Sequence, residues 1–142
     1  MIGIIITGHN HFASGIYSSI TMVGGEQQNV VVVDFEDGKS DEQLLEDIEA
    51  AITSLNNCDQ IVCCCDLMGG SPFKESCIAA SSRDNVKVIY GINLGMMLEF
   101  VLSKEFVEDL DPYLDGLVET GKSVIGKYVY EEYTQAEVTD GI

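Results

Sequence analysis

A chain of 142 residues, 46% of them hydrophobic and only two of them proline, is long enough for one domain with a real core and too apolar to be disordered. Its formal net charge of −17 excludes nucleic acid and anionic membrane as partners, because no basic patch exists to displace counterions from phosphates. A solvated acidic surface, or a basic protein partner, fits that charge instead.

The first element is an apolar strand, Ile2 to Thr7, followed by a helix in which Phe12, Ile16, Ile20 and Val23 recur at helical spacing until Gly24-Gly25 stops it. A second strand runs from Val30 to Phe35. The capping box Ser40-Asp41-Glu42-Gln43 then starts a helix with Leu44, Leu45, Ile48, Ala51, Ile52 and Leu55 on its inner face, ended by Asn56-Asn57. The third strand, Gln60 to Cys65, precedes a helix over Pro72 to Ser82, and the fourth, Val86 to Tyr90, precedes a helix near Met96 to Leu102. Asp111-Pro112 reads as an N-cap with a first-turn proline, giving a last helix to about Gly121. Val124 to Tyr133 alternates and predicts a late strand.

Five cysteines, an odd number with three of them consecutive at Cys63 to Cys65, form no disulfide framework and read as small buried hydrophobes, Cys63 and Cys65 on one sheet face and Cys64 on the other. No apolar run is long enough to cross a bilayer, and Met1 to Ile6 has neither the charged start nor the long apolar stretch of a signal peptide. The expectation is a single cytoplasmic domain over residues 1–142, without linker or repeat.

Near-continuous apolar strands alternating with helices predict an open α/β fold, a mostly parallel sheet of order 2-1-3-4 with helices on both faces. In that order the first and third strands flank the topological switch point, where ligands bind beyond the strands' carboxyl ends. His9 leaves strand one there and Asp66 leaves strand three. After Asp66, the run Leu67-Met68-Gly69-Gly70-Ser71-Pro72-Phe73 turns into a helix. Its glycines let backbone amides approach an anion, Ser71 is placed to cap the helix, and the helix N-terminus favours negative charge, so a phosphate fits. Gly69, Gly70 and Ser71 are the candidate phosphate donors. A neutral histidine attacks through its unprotonated nitrogen, and a carboxylate on the other ring nitrogen sets that tautomer, which is the role open to Asp66. His11 reads as incidental, or as a residue with a supporting hydrogen bond or a partner contact. No Gly-Lys-Ser or Gly-Lys-Thr follows Gly8, no dinucleotide fingerprint is present, and no metal-site spacing exists beyond His9-x-His11, so neither cofactor nor metal is expected.

The strand-Gly-His opening at Ile2 to His9, the Asp66 to Phe73 motif and Gly91-Ile92-Asn93-Leu94 after the fourth strand together resemble the IIA component of the mannose family in the bacterial phosphoenolpyruvate-dependent sugar phosphotransferase system. The resemblance spans most of the chain. It implies a phosphotransferase with a phosphohistidine intermediate: His9 accepts a phosphoryl group on Nε2 from the phosphocarrier protein HPr and passes it to a IIB component, which serves the membrane components IIC and IID. It also implies a homodimer in which the late strand is exchanged and lies antiparallel at the edge of the other subunit's sheet. Gly95 stands where the family often has proline, Lys74 where it often has asparagine, and no tryptophan lies near His9, which bears on the partner surface and the sugar branch but not on His9, Asp66 or Ser71. Two other functions suit the same residues: the phosphotransfer subunit of dihydroxyacetone kinase, and a non-catalytic regulatory module that senses phosphorylation.

Overall fold

The computed structural model describes residues 1–130. Four strands, β1 (Ile2–His9), β2 (Val30–Phe35), β3 (Gln60–Cys65) and β4 (Val86–Tyr90), form one sheet in the order β2-β1-β3-β4, with every pairing parallel. The helices are α1 (Phe12–Gly24), α2 (Asp41–Ser54), α3 (Gly70–Ser81), α4 (Leu94–Ser103) and α5 (Leu110–Ser123), with a short 3-10 turn at Lys104–Phe106. The predicted strand order and alternation of elements are therefore the ones observed.

Alternate side chains of β1 and β3 feed two cores, which is why both strands are apolar along their length. Ile2, Ile4, Ile6, Val62 and Cys64 pack under α1, α4 and α5 with Ile20, Met97, Phe100 and Leu117. On the other face Ile5, Ile61 and Cys63 pack with Leu44, Ile48 and Leu55 of the α2 region and Ala79 of α3. All five cysteines are free. Burial pushes the Cys63 and Cys65 thiols up to about 12, so they stay neutral as packing groups.

Ser40 caps α2 by accepting the Gln43 N–H at 3.1 Å, as the capping box predicts. Asn93 does the same for α4 through the Met96 N–H at 3.0 Å, and its amide donates to Gly121 O, tying the start of α4 to the end of α5. At Gly121 a Cβ would stand 2.6 Å from Met96 Sδ, so a larger residue there would require the Met96 side chain to move.

Several elements differ from the sequence reading, three of them in ways that bear on the site or on assembly. Helix α5 begins at Leu110 with Asp109 before it, not Asp111, because Leu110 is buried and anchors the first turn; Pro112 still falls within that turn, where its missing N–H costs nothing. Helix α3 begins at Gly70, and its N-cap position is Gly69, at φ 87°, rather than Ser71. The late strand expected over 124–133 is not formed over 124–130, and residues 131–133 lie outside the described residues. No helix among the described residues is long and apolar enough to cross a membrane.

Candidate functional site at the switch point

β1 runs two residues further than its apolar pattern, so His9 is the last residue of the strand, in register with Phe35 of β2. Asn10 then turns the chain away at φ 52°. β3 ends at Cys65, opposite Thr7, which puts Asp66 beside Gly8 and its side chain within reach of His9 across the crevice between the two central strands. Both residues therefore sit at the carboxyl ends of neighbouring strands, where the strand order reverses.

The two side chains are joined. Asp66 Oδ2 accepts the His9 backbone N–H at 2.9 Å and lies 2.8 Å from Nδ1, while Oδ1 accepts the Leu67 N–H at 2.9 Å. An ionised carboxylate only accepts, so in neutral His9 the proton is on Nδ1 and the lone pair is on Nε2. The Asp66 side chain is 9% exposed and that of His9 44%, an arrangement with a shielded carboxylate and a half-exposed imidazole. Phe35 meets the imidazole edge-on at 6.1 Å and limits its rotation.

Two glycines make this geometry sterically possible. A Cβ on Gly8 would stand 2.7 Å from Phe12 Cδ1 and 3.0 Å from Asp66 Cγ, closing the path by which the carboxylate reaches His9. A Cβ on Gly70 would stand 2.9 Å from His9 Nε2 and 2.8 Å from Cε1, so the backbone of the first turn of α3 abuts the nitrogen that carries the lone pair. Gly69 and Gly70 both have positive φ, 87° and 77°, which turns the chain sharply from Asp66 into that helix. An anion on Nε2 would face the positive end of α3.

The structure thus brings His9, Asp66 and Gly70 together, and Gly69 shapes the turn. Ser71 lies in the first turn of α3, but its hydroxyl neither caps that helix nor stands free: it donates to Asp41 Oδ1 at 2.7 Å. Lys74 Nζ approaches the other oxygen of Asp41 at 3.2 Å and Glu75 Oε1 at 3.7 Å. The Ser71 hydrogen bond, then Lys74, holds the Asp41 carboxyl below its ordinary value. The sequence reading took Asp41 only as part of a capping box, and no local pattern signals its pairing with α3.

Asp34 was likewise not read as part of the site. Its Oδ1 accepts the Ser14 N–H at 3.0 Å, capping α1 from the neighbouring strand, and its Oδ2 lies 3.4 Å from His11 Nδ1. Burial alone would raise this carboxyl, yet the hydrogen bonds from Ser14 and His11 hold it below the ordinary value. His11 thus pairs with Asp34, one strand away from the His9–Asp66 pair. Among the described residues no group of three or more His, Cys, Asp and Glu side chains is placed to hold a metal ion.

Comparison with known proteins places this geometry in context. A family model described as "PTS system fructose IIA component" matches residues 3–118. The mannose-specific EIIAB component of the phosphotransferase system of Escherichia coli is 30% identical over 121 residues, 85% of this chain, which spans only 38% of that relative's length. The fructose-specific EIIA component of Bacillus subtilis is 27% identical over 105 residues, covering 74% of this chain and 72% of the relative. The crystal structure of the phosphotransferase system component EIIA from Streptococcus agalactiae superposes with a TM-score of 0.82 at 31% identity, covering 89% of this chain and 97% of the other. The mannose/sorbose specific IIA subunit from Enterococcus faecalis has the same fold, with a TM-score of 0.83 at 23% identity over 93% of this chain and 98% of that one.

Proposed function

The chain belongs to the mannose-type IIA family of the bacterial sugar phosphotransferase system, and on that premise we propose that it is a phosphoryl relay: His9 takes a phosphoryl group from phospho-HPr and hands it to a IIB component, which serves sugar uptake through IIC and IID. The observation that carries this reading is the hydrogen bond between His9 Nδ1 and Asp66 Oδ2, which leaves Nε2 unprotonated on a side chain that is 44% exposed. The Nε2 lone pair forms the new N–P bond as the bond from phosphorus to the donor's histidine nitrogen breaks, and that nitrogen keeps the electron pair. The Nδ1 proton stays on its hydrogen bond, so the positive charge spread over the phosphorylated ring is met by Asp66.

The transferring group is loose and metaphosphate-like, so positioning and preset donors supply most of the catalysis. The turn at Gly69 and Gly70 and the first turn of α3 supply those donors. Incubation with phosphoenolpyruvate, enzyme I and HPr, read by intact mass, should add one phosphoryl group to the wild type and none to His9→Ala; onward transfer to a IIB protein separates a relay from a sensor, which would hold its label.

We further propose that the chain works as a homodimer in which the segment after α5 is exchanged. The outer edge of β4 has no strand partner among the described residues, and a groove of about 770 Å³ runs beside it, lined by Val88, Tyr90, Met96, Leu114, Val118 and Ile125. Val124, Ile125 and Tyr130 are exposed, so the alternating apolar pattern is unspent in a single chain.

A further inference from the structure

One feature of α3 is required neither by the His9–Asp66 pair nor by the fold. A single carboxylate, Asp41 at the first position of α2, takes up the hydroxyl of Ser71 on one oxygen and the ammonium of Lys74 on the other. Ser71 follows Gly70, whose backbone abuts His9 Nε2, and Lys74 is one turn further along the same helix. Lys39, the other lysine near these strand ends, is committed elsewhere, to Asp34 O and Asp47 Oδ2. Asp66 and Asp34 already surround the two histidines of a chain whose net charge is −17. A phosphoryl group brings nearly two further negative charges to that place.

On the relay reading above, we propose that Asp41 is a positioning residue that keeps Ser71 and Lys74 in reserve: a phosphoryl group arriving on His9 Nε2 displaces the Asp41 carboxylate from the Ser71 hydroxyl and draws in the Lys74 ammonium. The Asp41 and Lys74 side chains are 44% and 59% exposed, so water screens their ion pair and its release costs little. A phosphoryl dianion is the stronger acceptor for both donors, and the helix end favours it further. In the resting protein the Asp41 carboxylate thus holds the donors in one geometry and keeps other anions from them.

The test is a double-mutant cycle of wild type, Asp41→Asn, Lys74→Met and the double variant, with the phosphoryl-exchange equilibrium against phospho-HPr read by intact mass at fixed ionic strength. Asp41→Asn leaves the Ser40 cap in place, and circular dichroism checks each fold. Asp41→Asn should shift the equilibrium toward the phosphorylated form by about threefold and Lys74→Met should shift it away by a similar factor, the scale of an exposed charge pair. In the Lys74→Met background the gain from Asp41→Asn should shrink. The phosphorus NMR resonance of phospho-His9 should move in Lys74→Met and in Ser71→Ala, which a merely structural role would not do. Equal equilibria in all four proteins with an unmoved resonance, or a loss in both single variants alike, overturns the proposal while leaving the relay intact. A wild type that takes up no phosphoryl group overturns the relay reading and this inference with it.

Discussion

Replacing Asp66 with asparagine removes one charge and one acceptor from a side chain that serves three N–H donors. In the structure Oδ2 takes two of them, the His9 backbone at 2.9 Å and Nδ1 at 2.8 Å, and Oδ1 takes the third from Leu67 at 2.9 Å. An amide has one oxygen. If that oxygen faces His9, its NH2 group confronts the Leu67 N–H; if it faces Leu67, the NH2 group confronts the His9 backbone N–H and forces the ring proton to Nε2, where it blocks attack. Either orientation leaves a donor opposed to a donor, a cost of about 1–3 kcal/mol. On the proposed relay the larger effect falls on the reaction, because the charge that would stabilise a phosphorylated ring is gone. Transfer should slow by ~10²-fold or more, about 2.7 kcal/mol of barrier, with a native circular dichroism spectrum. Rapid-quench labelling from phospho-HPr measures the rate, and nitrogen NMR of the His9 ring reads the tautomer. A variant that transfers at the wild-type rate would refute the claim that Asp66 sets the nucleophile.

Gly70→Ala should abolish labelling of His9, since its Cβ would stand 2.9 Å from Nε2 at a φ of 77°, while Gly69→Ala, with open space around its Cβ, should retain labelling and lose about 1–2 kcal/mol of stability to backbone strain, measured by urea denaturation. Asp34→Ala should cost about 1 kcal/mol by uncapping α1. Because the Asp34 carboxyl is held below its ordinary value of 3.8 in the folded chain, its contribution is present above that pH and fades as pH falls through the folded value, so the stability gap between wild type and Asp34→Ala should narrow in acid. Thr7→Val should leave stability unchanged or raise it by up to about 1 kcal/mol, because Thr7 Oγ1 is buried without a hydrogen-bond partner among the described residues; a clear loss would reveal a partner. Ending the chain after Ser123 should halve the mass seen by light scattering if the exchanged dimer is right, and an unchanged mass would reject it.

The strand order was legible because β1 and β3 are buried on both faces and so carry unbroken apolar runs, and because that order alone puts His9 and Asp66 at one crevice. The register of Thr7 with Cys65 sets Asp66 beside Gly8, one residue short of His9, and the Asp66 side chain reaches forward past that glycine to the His9 N–H and ring. What local pattern could not reveal lies across long separations. Ser71 and Asp41 are 30 residues apart and Ser14 and Asp34 are 20 apart, and in each pair a residue typical of helix starts serves a different element. Ser71 looked like a cap because Ser-Pro is a common helix opening, but two glycines at positive φ start the helix earlier and turn the hydroxyl into the first turn. The alternation after Val124 forms no strand over residues 124–130 of the single chain, although the outer edge of β4 lies open beside it, because alternation gives a segment two faces but does not say which edge it pairs with.

The central claim is that Nε2 of His9 carries the phosphoryl group while Nδ1 remains hydrogen-bonded to Asp66. Nitrogen and phosphorus NMR on the protein labelled from phosphoenolpyruvate through enzyme I and HPr tests it most directly. One phosphohistidine is expected, with phosphorus coupled to Nε2 of His9 and the Nδ1 proton retained. Phosphorus coupled to Nδ1, or found on His11 or another residue, would contradict it.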